Sequence, residues 1–128
     1  MAEISVFDSS AILAVIFEER GGDIVLPLLA DGLMGSVNLA EAHTILLTRG
    51  SGADFAWRRL LSFGFEVCSF NTELARVAAE LIGVTKPYGL SLGDRACLAL
   101  AIQRKATVYT TDKAWKNLTL GIAINVIR

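Results

Sequence analysis

Short apolar runs alternate with longer segments of helical periodicity along nearly the whole chain. The short runs are rich in β-branched and aromatic residues, which is typical of buried strands. Five strands are predicted, at residues 4–7, 33–37, 66–70, 107–109 and 122–127. Because helical segments separate them, the pattern predicts an α/β fold, a three-layer α/β/α sandwich with helices on both faces of a mostly parallel five-stranded sheet.

The helical segments carry start and stop signals. Six helices are predicted, at residues 11–17, 23–30, 38–49, 53–63, 72–82 and 91–105. Asn71 and Ser91 have the positions of N-caps, and Pro27 either interrupts or begins the second helix. No internal repeat is visible in the 128 residues, so residues 1–128 are expected to form one domain.

Four acidic residues mark one edge of this predicted sheet. Asp8, Glu41, Asp94 and Asp112 each follow a strand-like run or open a helix. A parallel sheet would bring such positions together although they are far apart in the chain. Two carboxylates ~5 Å apart repel each other by about 3 kcal/mol at an effective dielectric of ~20, and a divalent cation reverses that cost. Oxygen ligands suit Mg²⁺ or Mn²⁺, so the pattern predicts a metal-dependent enzyme.

Each acid also has a simpler structural interpretation as part of a helix cap. Asp8 and Asp112 have the positions of N-caps. Glu41 and Asp94 have the spacing of a capping box with Asn38 and Ser91, respectively. Glu73 also lies near a helix start and is interpreted as a first-turn acid favoured by the helix dipole. The only histidine, His43, is expected to be partly buried rather than to bind zinc. The coincidence of four acids at one edge favours a functional site.

Composition narrows the class of protein. With 53% hydrophobic and 20% charged residues, the chain has the profile of a compact globule. A formal net charge of -1 gives no global attraction to a polyanion, so any contact with nucleic acid would depend on local basic clusters. Cys68 and Cys97 lack metal-type spacing and are expected to be reduced core thiols. Without a visible secretory leader or a membrane-length apolar run, a cytoplasmic protein is expected.

Four short passages carry a resemblance to a known family. They are Phe-Asp-Ser-Ser-Ala at 7–11, Asn-Leu-Ala-Glu at 38–41, Ser-Leu-Gly-Asp-Arg-Ala at 91–96 and Thr-Thr-Asp at 110–112. In these passages the chain resembles the PIN-domain ribonucleases, and among them the small VapC-type toxins of prokaryotic toxin–antitoxin pairs, over nearly its whole length. Together the passages are fairly specific, whereas any one alone would be weak.

The resemblance implies a PIN-like sheet in the order 3-2-1-4-5 and an endoribonuclease that hydrolyses RNA with Mg²⁺ or Mn²⁺. It implies that the four acids form the catalytic metal site. Asp8, Glu41 and Asp94 would be the principal metal set, and Asp112 would have a more peripheral role. No covalent enzyme intermediate is expected, because a metal-activated water would attack the phosphodiester.

The resemblance extends to neighbouring residues and to partners. The hydroxyls of Ser10 and Thr110 would orient the metal-binding carboxylates. Arg95, Lys113 and Lys116 lie beside the acids in sequence and are candidates to contact the RNA backbone, although Arg95 has the alternative of pairing with a nearby acid. The resemblance also implies a homodimer and a VapB-like antitoxin that plugs the acid pocket with a basic side chain.

Other interpretations stay open at this point. A non-catalytic PIN-like module would bind RNA or protein without cutting it, and a missing acid would be its signature. A receiver-like phosphatase would use Asp8 as phospho-acceptor with Lys113, but it leaves Glu41 and Asp94 unexplained. Gly93 either loosens the first turn of its helix or allows close packing. The choice between a toxin and a housekeeping nuclease, and the identity of the RNA, also stay open.

Overall fold

A five-stranded sheet forms the centre of the structure, a computed structural model that describes residues 3–128. The strands are β1 (Ser5–Phe7), β2 (Leu33–Gly35), β3 (Glu66–Cys68), β4 (Thr107–Thr110) and β5 (Ile124–Val126). Their order is β3-β2-β1-β4-β5, and every neighbouring pair is parallel. The α/β class and the predicted sheet order are therefore confirmed.

Helices connect these strands. They are α1 (Ser9–Ile16), α2 (Gly22–Val25), α3 (Ser36–Thr48), α4 (Ala53–Ser62), α5 (Thr72–Glu80), α6 (Ile82–Thr85) and α7 (Leu92–Arg104). Three 3₁₀ segments accompany them, Leu26–Asp31, Lys86–Tyr88 and Lys113–Asn117. The helices predicted at 11–17, 53–63 and 91–105 differ from α1, α4 and α7 by only one or two residues at their ends. Within residues 3–128, no helix has the length and apolarity needed to cross a membrane.

Three predicted helices were wrong in their bounds. The helix predicted at 23–30 is α2 followed by a 3₁₀ turn, because Pro27 at its start cannot continue the α-helical hydrogen bonding. The helix predicted at 38–49 begins at Ser36 with Gly35 as N-cap, which shortens β2. The helix predicted at 72–82 ends at Glu80, and the short helix α6 follows from Ile82. Strands β3 and β5 are also shorter than predicted, at three residues each.

Alternate residues of the three central strands face opposite sides of the sheet. On one side, Phe7, Met34 and Tyr109 pack in a core with buried residues of α1, α2, α3 and α4. On the other side, Val6, Leu33 and Val108 pack in a second core with α5, α7 and Trp115. This period-two alternation is what a strand buried on both faces requires. The predicted three layers are therefore present.

The backbones of α1 and α2 approach closely at Gly22. A Cβ atom on Gly22 would lie 2.6 Å from the carbonyl oxygen of Ala14 and 2.9 Å from its carbonyl carbon. Backbone atoms cannot turn aside as the end of a side chain can. The packing of α2 on α1 therefore depends on the missing side chain at this position.

We predict that Gly22→Ala lowers the free energy of unfolding by about 1–3 kcal/mol, the usual cost of overpacking, measured by urea denaturation. Gly83→Ala is the matched control, because Gly83 lies in α6 with no heavy atom within 4 Å of a built Cβ. That variant should gain roughly 0.4–1 kcal/mol through its less flexible unfolded chain. Equal stability of the Gly22→Ala and wild-type proteins would contradict the close approach.

Candidate functional site

Asp8 is the buried centre of the candidate site. It follows β1 directly and is only 4% exposed, and its backbone N–H donates to the carbonyl oxygen of Tyr109 on β4 at 3.0 Å. Asp8 occupies the N-cap position of α1, but its carboxylate makes no capping hydrogen bond. The cap interpretation therefore explains where Asp8 stands in the chain and not what its side chain does.

Two hydroxyl groups hold the Asp8 carboxylate. The Oγ of Ser10 donates to its Oδ2 at 2.7 Å, and the Oγ1 of Thr110 donates to the same atom at 3.0 Å. These hydroxyl oxygens accept in turn from backbone N–H groups, Ser10 from Thr111 at 3.0 Å and Thr110 from Asp112 at 3.1 Å. Each hydroxyl has one hydrogen, and the contacts with Asp8 at 2.7 and 3.0 Å are favoured over the 3.4 Å contact between the two hydroxyls because they are shorter and reach a carboxylate. The carboxylate is fixed through Oδ2, while its Oδ1 makes no hydrogen bond within residues 3–128.

Glu41 lies on α3 and is held by one buried amide. The Nδ2 of Asn38 donates to Oε1 of Glu41 at 2.9 Å and to the carbonyl oxygen of Gly93 at 3.0 Å. The interpretation of Asn38 as a helix cap was wrong, because α3 begins at Ser36 and places Asn38 inside its first turn. The three-residue spacing to Glu41 was visible in the sequence. The contact with Gly93, 55 residues further along, was not.

Gly93 allows this close packing. A Cβ atom on Gly93 would overlap the Glu41 carboxylate, lying 2.6 Å from its Cδ and 2.8 Å from its Oε1. Of the two roles open to Gly93 in the sequence, close packing is therefore the one that the structure shows. The glycine lets the Glu41 side chain lie directly against the first turn of α7.

Asp94 and Asp112 both act as helix caps. The predicted capping box of α7 is present, with the Oγ of Ser91 accepting from the Asp94 N–H at 3.2 Å and Oδ2 of Asp94 accepting from the Ser91 N–H at 2.9 Å. Asp112 is exposed and caps the 3₁₀ segment Lys113–Asn117, its Oδ1 accepting from the Ala114 N–H at 3.0 Å. Both cap predictions are confirmed for these acids.

The four carboxylates share one arrangement, in which one oxygen is engaged and the other is not. Within residues 3–128 the oxygens outside any hydrogen bond are Oδ1 of Asp8, Oε2 of Glu41, Oδ1 of Asp94 and Oδ2 of Asp112. The ion pairs of the described chain link Arg76 to Glu80, Arg104 to Glu66 and Arg128 to Glu19, so none of them neutralises this group. Carboxylates oriented through one atom and available through the other are typical of metal ligands.

Charge and burial act together on Asp8. Burial raises the pKa of its carboxyl from 3.8 to about 6, the charges of Asp94 and Glu41 add to the rise, and the Ser10 and Thr110 hydroxyls oppose it. Burial also raises the pKa of the Cys97 thiol well above its usual value, with further contributions from Asp8, Asp94 and Glu41. Asp112 contributes to neither shift. Asp8, Glu41 and Asp94 therefore form one electrostatic group, and Asp112 lies at its margin.

This group matches a hard divalent cation in its chemistry. All of its donors are oxygens, and a cation would offset both the burial of the Asp8 charge, which is the main cause of its raised pKa, and the like charges of Asp94 and Glu41. In residues 3–128, however, no three acidic, histidine or cysteine side chains are placed to share one ion. An ion would therefore have to draw the carboxylates closer together, and the oxygens outside hydrogen bonds are the ones available to it.

The three basic candidates are placed differently from one another. The Nη1 of Arg95 donates to the carbonyl oxygen of Ala78 in α5 at 2.9 Å, and its Nε is buried without a partner in the described chain. Its guanidinium therefore joins α7 to α5 and does not pair with an acid. Lys113 and Lys116 are exposed on the 3₁₀ segment that Asp112 caps. Lys113 directly follows Asp112, whereas Lys116 lines a cleft with Glu3 and Thr107, at the opposite end of β4 from the acids.

Several other expectations concern residues outside this group. His43 is half-buried, as predicted, and its ring packs edge-on against Trp57 with the ring centres 5.1 Å apart. Both cysteines are free thiols; Cys97 is buried as expected, whereas Cys68 is only half-buried because β3 is an edge strand. Glu73 lies in the first turn of α5, as predicted.

Comparison with known families agrees with this fold. The sequence matches the family model of the PIN domain over residues 5–119. The chain belongs to the PIN domain family. The matched PIN region runs from β1 past Asp112 and so contains all four acids. No curated protein sequence matches the chain significantly.

Solved structures share the PIN fold. A sarcin-ricin loop cleaving toxin, VapC20 of Mycobacterium tuberculosis, is 16% identical with a TM-score of 0.74, over 93% of this chain and 98% of that one. VapBC2 of Rickettsia felis, bound to a promoter DNA fragment, is 20% identical with a TM-score of 0.72, over 94% and 96%. A toxin–antitoxin complex of Klebsiella pneumoniae is 17% identical with a TM-score of 0.72, over 93% and 95%. At these identities the likeness shows the fold.

The raised pKa of Asp8 predicts how stability depends on pH in the absence of metal. An unfolded carboxyl ionises near pH 4 and the folded one near 6, so between these values the folded state keeps a proton that the unfolded state has lost. Rising pH therefore lowers the free energy of unfolding across this interval, by roughly 3 kcal/mol in all.

We predict that Asp8→Asn is more stable than the wild type in EDTA at about pH 7, because the amide carries no charge and still accepts from both hydroxyls. The gain should disappear near pH 4, where the wild-type carboxyl is protonated. Urea denaturation of both proteins at about pH 7 and pH 4 measures the difference in their free energies of unfolding. Asp54→Asn, at an exposed first-turn acid of α4, should show no such gain. A pH-independent effect of Asp8→Asn would contradict the prediction.

Proposed function

We propose that this PIN domain is a metal-dependent endoribonuclease of the VapC toxin type, which hydrolyses RNA phosphodiester bonds. The observation that carries the proposal is the group of Asp8, Glu41 and Asp94, in which the charges of Asp94 and Glu41 add to the raised pKa of the buried Asp8 carboxyl and no carboxylate has a cationic partner within residues 3–128. A cluster arranged only for stability would gain from a basic residue at its centre. The fold shared with a sarcin-ricin loop cleaving toxin supports RNA as the substrate.

The chain's own residues have separate tasks in this mechanism. Asp8, Glu41 and Asp94 would hold Mg²⁺ or Mn²⁺ through the oxygens that their hydrogen bonds leave available, and Asp112 would act from the margin on a second ion or a ligating water. When bound, such an ion lowers the pKa of a water and offsets charge on the phosphate. The hydroxyls of Ser10 and Thr110 keep the Asp8 carboxylate in one orientation.

An exposed cation beside the acids supplies a place for the RNA backbone. Lys113 directly follows Asp112, so a phosphate held by it would lie near that carboxylate, whereas Lys116 lines a cleft with Glu3 and Thr107 and supports the proposal less. Phosphate contacts of this kind set the register of a nucleic acid without selecting its sequence. Arg95 has a weaker claim, because its guanidinium is bonded to the carbonyl oxygen of Ala78.

We also propose a VapB-like antitoxin and a homodimer. Structures that share this fold include toxin–antitoxin complexes, which supports the first proposal. An uncompensated acidic group would attract a basic side chain of such a partner. For the homodimer, α4 exposes Phe55, Trp57 and Leu61, an apolar surface of the kind that interfaces cover.

The test is cleavage of a mixed pool of transfer and ribosomal RNA by the purified protein with Mg²⁺, Mn²⁺ or EDTA. We predict discrete fragments that require metal. Asp8→Asn and Asp94→Asn should each lose at least about a hundredfold in rate, because metal chemistry contributes several kcal/mol to lowering the barrier. Asp112→Asn should lose less, since Asp112 is exposed and marginal to the group.

Glu73→Gln is the matched control, an acid at a helix start that lies outside the group, and it should cut like the wild type. Unfolding would not explain a loss in Asp8→Asn, because that variant is expected to be the more stable one in EDTA. Fragments that persist in both Asp8→Asn and Asp94→Asn would come from a contaminating nuclease. A wild type free of bound inhibitor that binds RNA or a protein but cuts nothing would establish the alternative, a non-catalytic PIN-like binding module.

A further inference from the structure

The buried amide of Asn38 links α3, which carries Glu41, to α7, which carries Asp94. It is 1% exposed, and its Nδ2 donates at 2.9 Å to Oε1 of Glu41 on α3 and at 3.0 Å to the carbonyl oxygen of Gly93 on α7. Both of these atoms are acceptors. The orientation of the amide is therefore fixed by chemistry, because the flipped amide would place an oxygen against two oxygens. Both amide hydrogens are used.

Gly93 forms the other half of this arrangement. The Glu41 carboxylate lies against the α7 backbone where any side chain on Gly93 would stand. Asp94 is the next residue, and its own carboxylate is held by the capping box of the same turn. The amide of Asn38 and the missing side chain of Gly93 thus set where Glu41 lies relative to Asp94.

We propose that Asn38 is a positioning residue, which with Gly93 holds the Glu41 carboxylate against the first turn of α7 next to Asp94, so that a small rotation of the two side chains lets both bind one divalent ion. This inference rests on the proposed function. A serine or threonine at this position would offer one hydrogen where two acceptors need one each, and an aspartate would offer none. An asparagine meets both requirements from a position one helical turn before Glu41.

Gly93→Ala separates positioning from stability. Alanine is the better helix residue, and the group it meets is the end of the flexible Glu41 side chain rather than backbone. We expect this variant to unfold at the same or a higher urea concentration than the wild type, yet to bind Mn²⁺ about 10–100-fold more weakly, the usual effect of disturbing a ligand's support. If Gly93 had a purely structural role, the stability of Gly93→Ala and its Mn²⁺ affinity would fall together.

Asn38→Ala should weaken Mn²⁺ binding by a similar factor, measured by titration calorimetry or by the electron paramagnetic resonance of free Mn²⁺. Ser36→Ala is its matched control. The Oγ of Ser36 accepts from the Phe70 N–H at 3.0 Å, so its loss removes a partly buried hydrogen bond of the same helix that touches no acid. That variant should lose stability but keep its Mn²⁺ affinity.

The decisive measurement repeats both changes in a Glu41→Gln background. If Asn38 and Gly93 act through Glu41, neither Asn38→Ala nor Gly93→Ala should lower the Mn²⁺ affinity of that background further. A loss that persists there, unchanged affinity in the wild-type background, or a wild type that binds no Mn²⁺ would each overturn the inference. A protein that binds Mn²⁺ with this coupling but cuts no RNA would overturn the proposed nuclease function alone.

Discussion

The constraint on which this structure depends is the burial of the Asp8 carboxylate beside two other acids. Burial and like charge both disfavour its ionised form, and only two hydroxyls work against them. Those hydroxyls come from the first turn of α1 and the end of β4, and each is oriented by a backbone N–H that follows β4. The Asp8 side chain therefore links the end of β1 to the first turn of α1 and to the end of β4.

The acids are supported from three directions that share no residue. Asp8 is held from β4 and α1, Glu41 from Asn38, and Asp94 from the capping box of α7. Each support engages one carboxylate oxygen. The group is consequently well oriented while keeping unbonded oxygens, which is the combination that a metal ligand needs and that a purely stabilising network does not.

Much of the fold and of the acidic group followed from short-range sequence features. Short apolar runs predicted the five strands, and the spacing of Ser91 and Asp94 predicted the start of α7. Both features depend only on residues a few positions apart in the sequence. Asn38 was wrongly predicted to be a helix cap, because an asparagine after an apolar run has the usual sequence position of one. Its contact with Gly93 depends on the packing of α7 on α3, which the local sequence does not reveal. The role of Gly93 was undecided for the same reason, as its neighbour Glu41 lies 52 positions earlier in the sequence.

Helix capping and the clustering of acids have the same geometric origin in this fold. In a parallel sheet with helical connections, the carboxyl ends of strands and the N-termini of the following helices lie at one edge. Asp8 and Asp112 stand at N-caps and Asp94 in a first turn, so each carboxylate lies near the positive end of a helical segment. Those partial charges reduce the cost of gathering acids there. For Asp94 and Asp112, whose carboxylates do cap, the capping interpretation and the metal interpretation are therefore not alternatives, because each carboxylate keeps one oxygen outside its capping hydrogen bond.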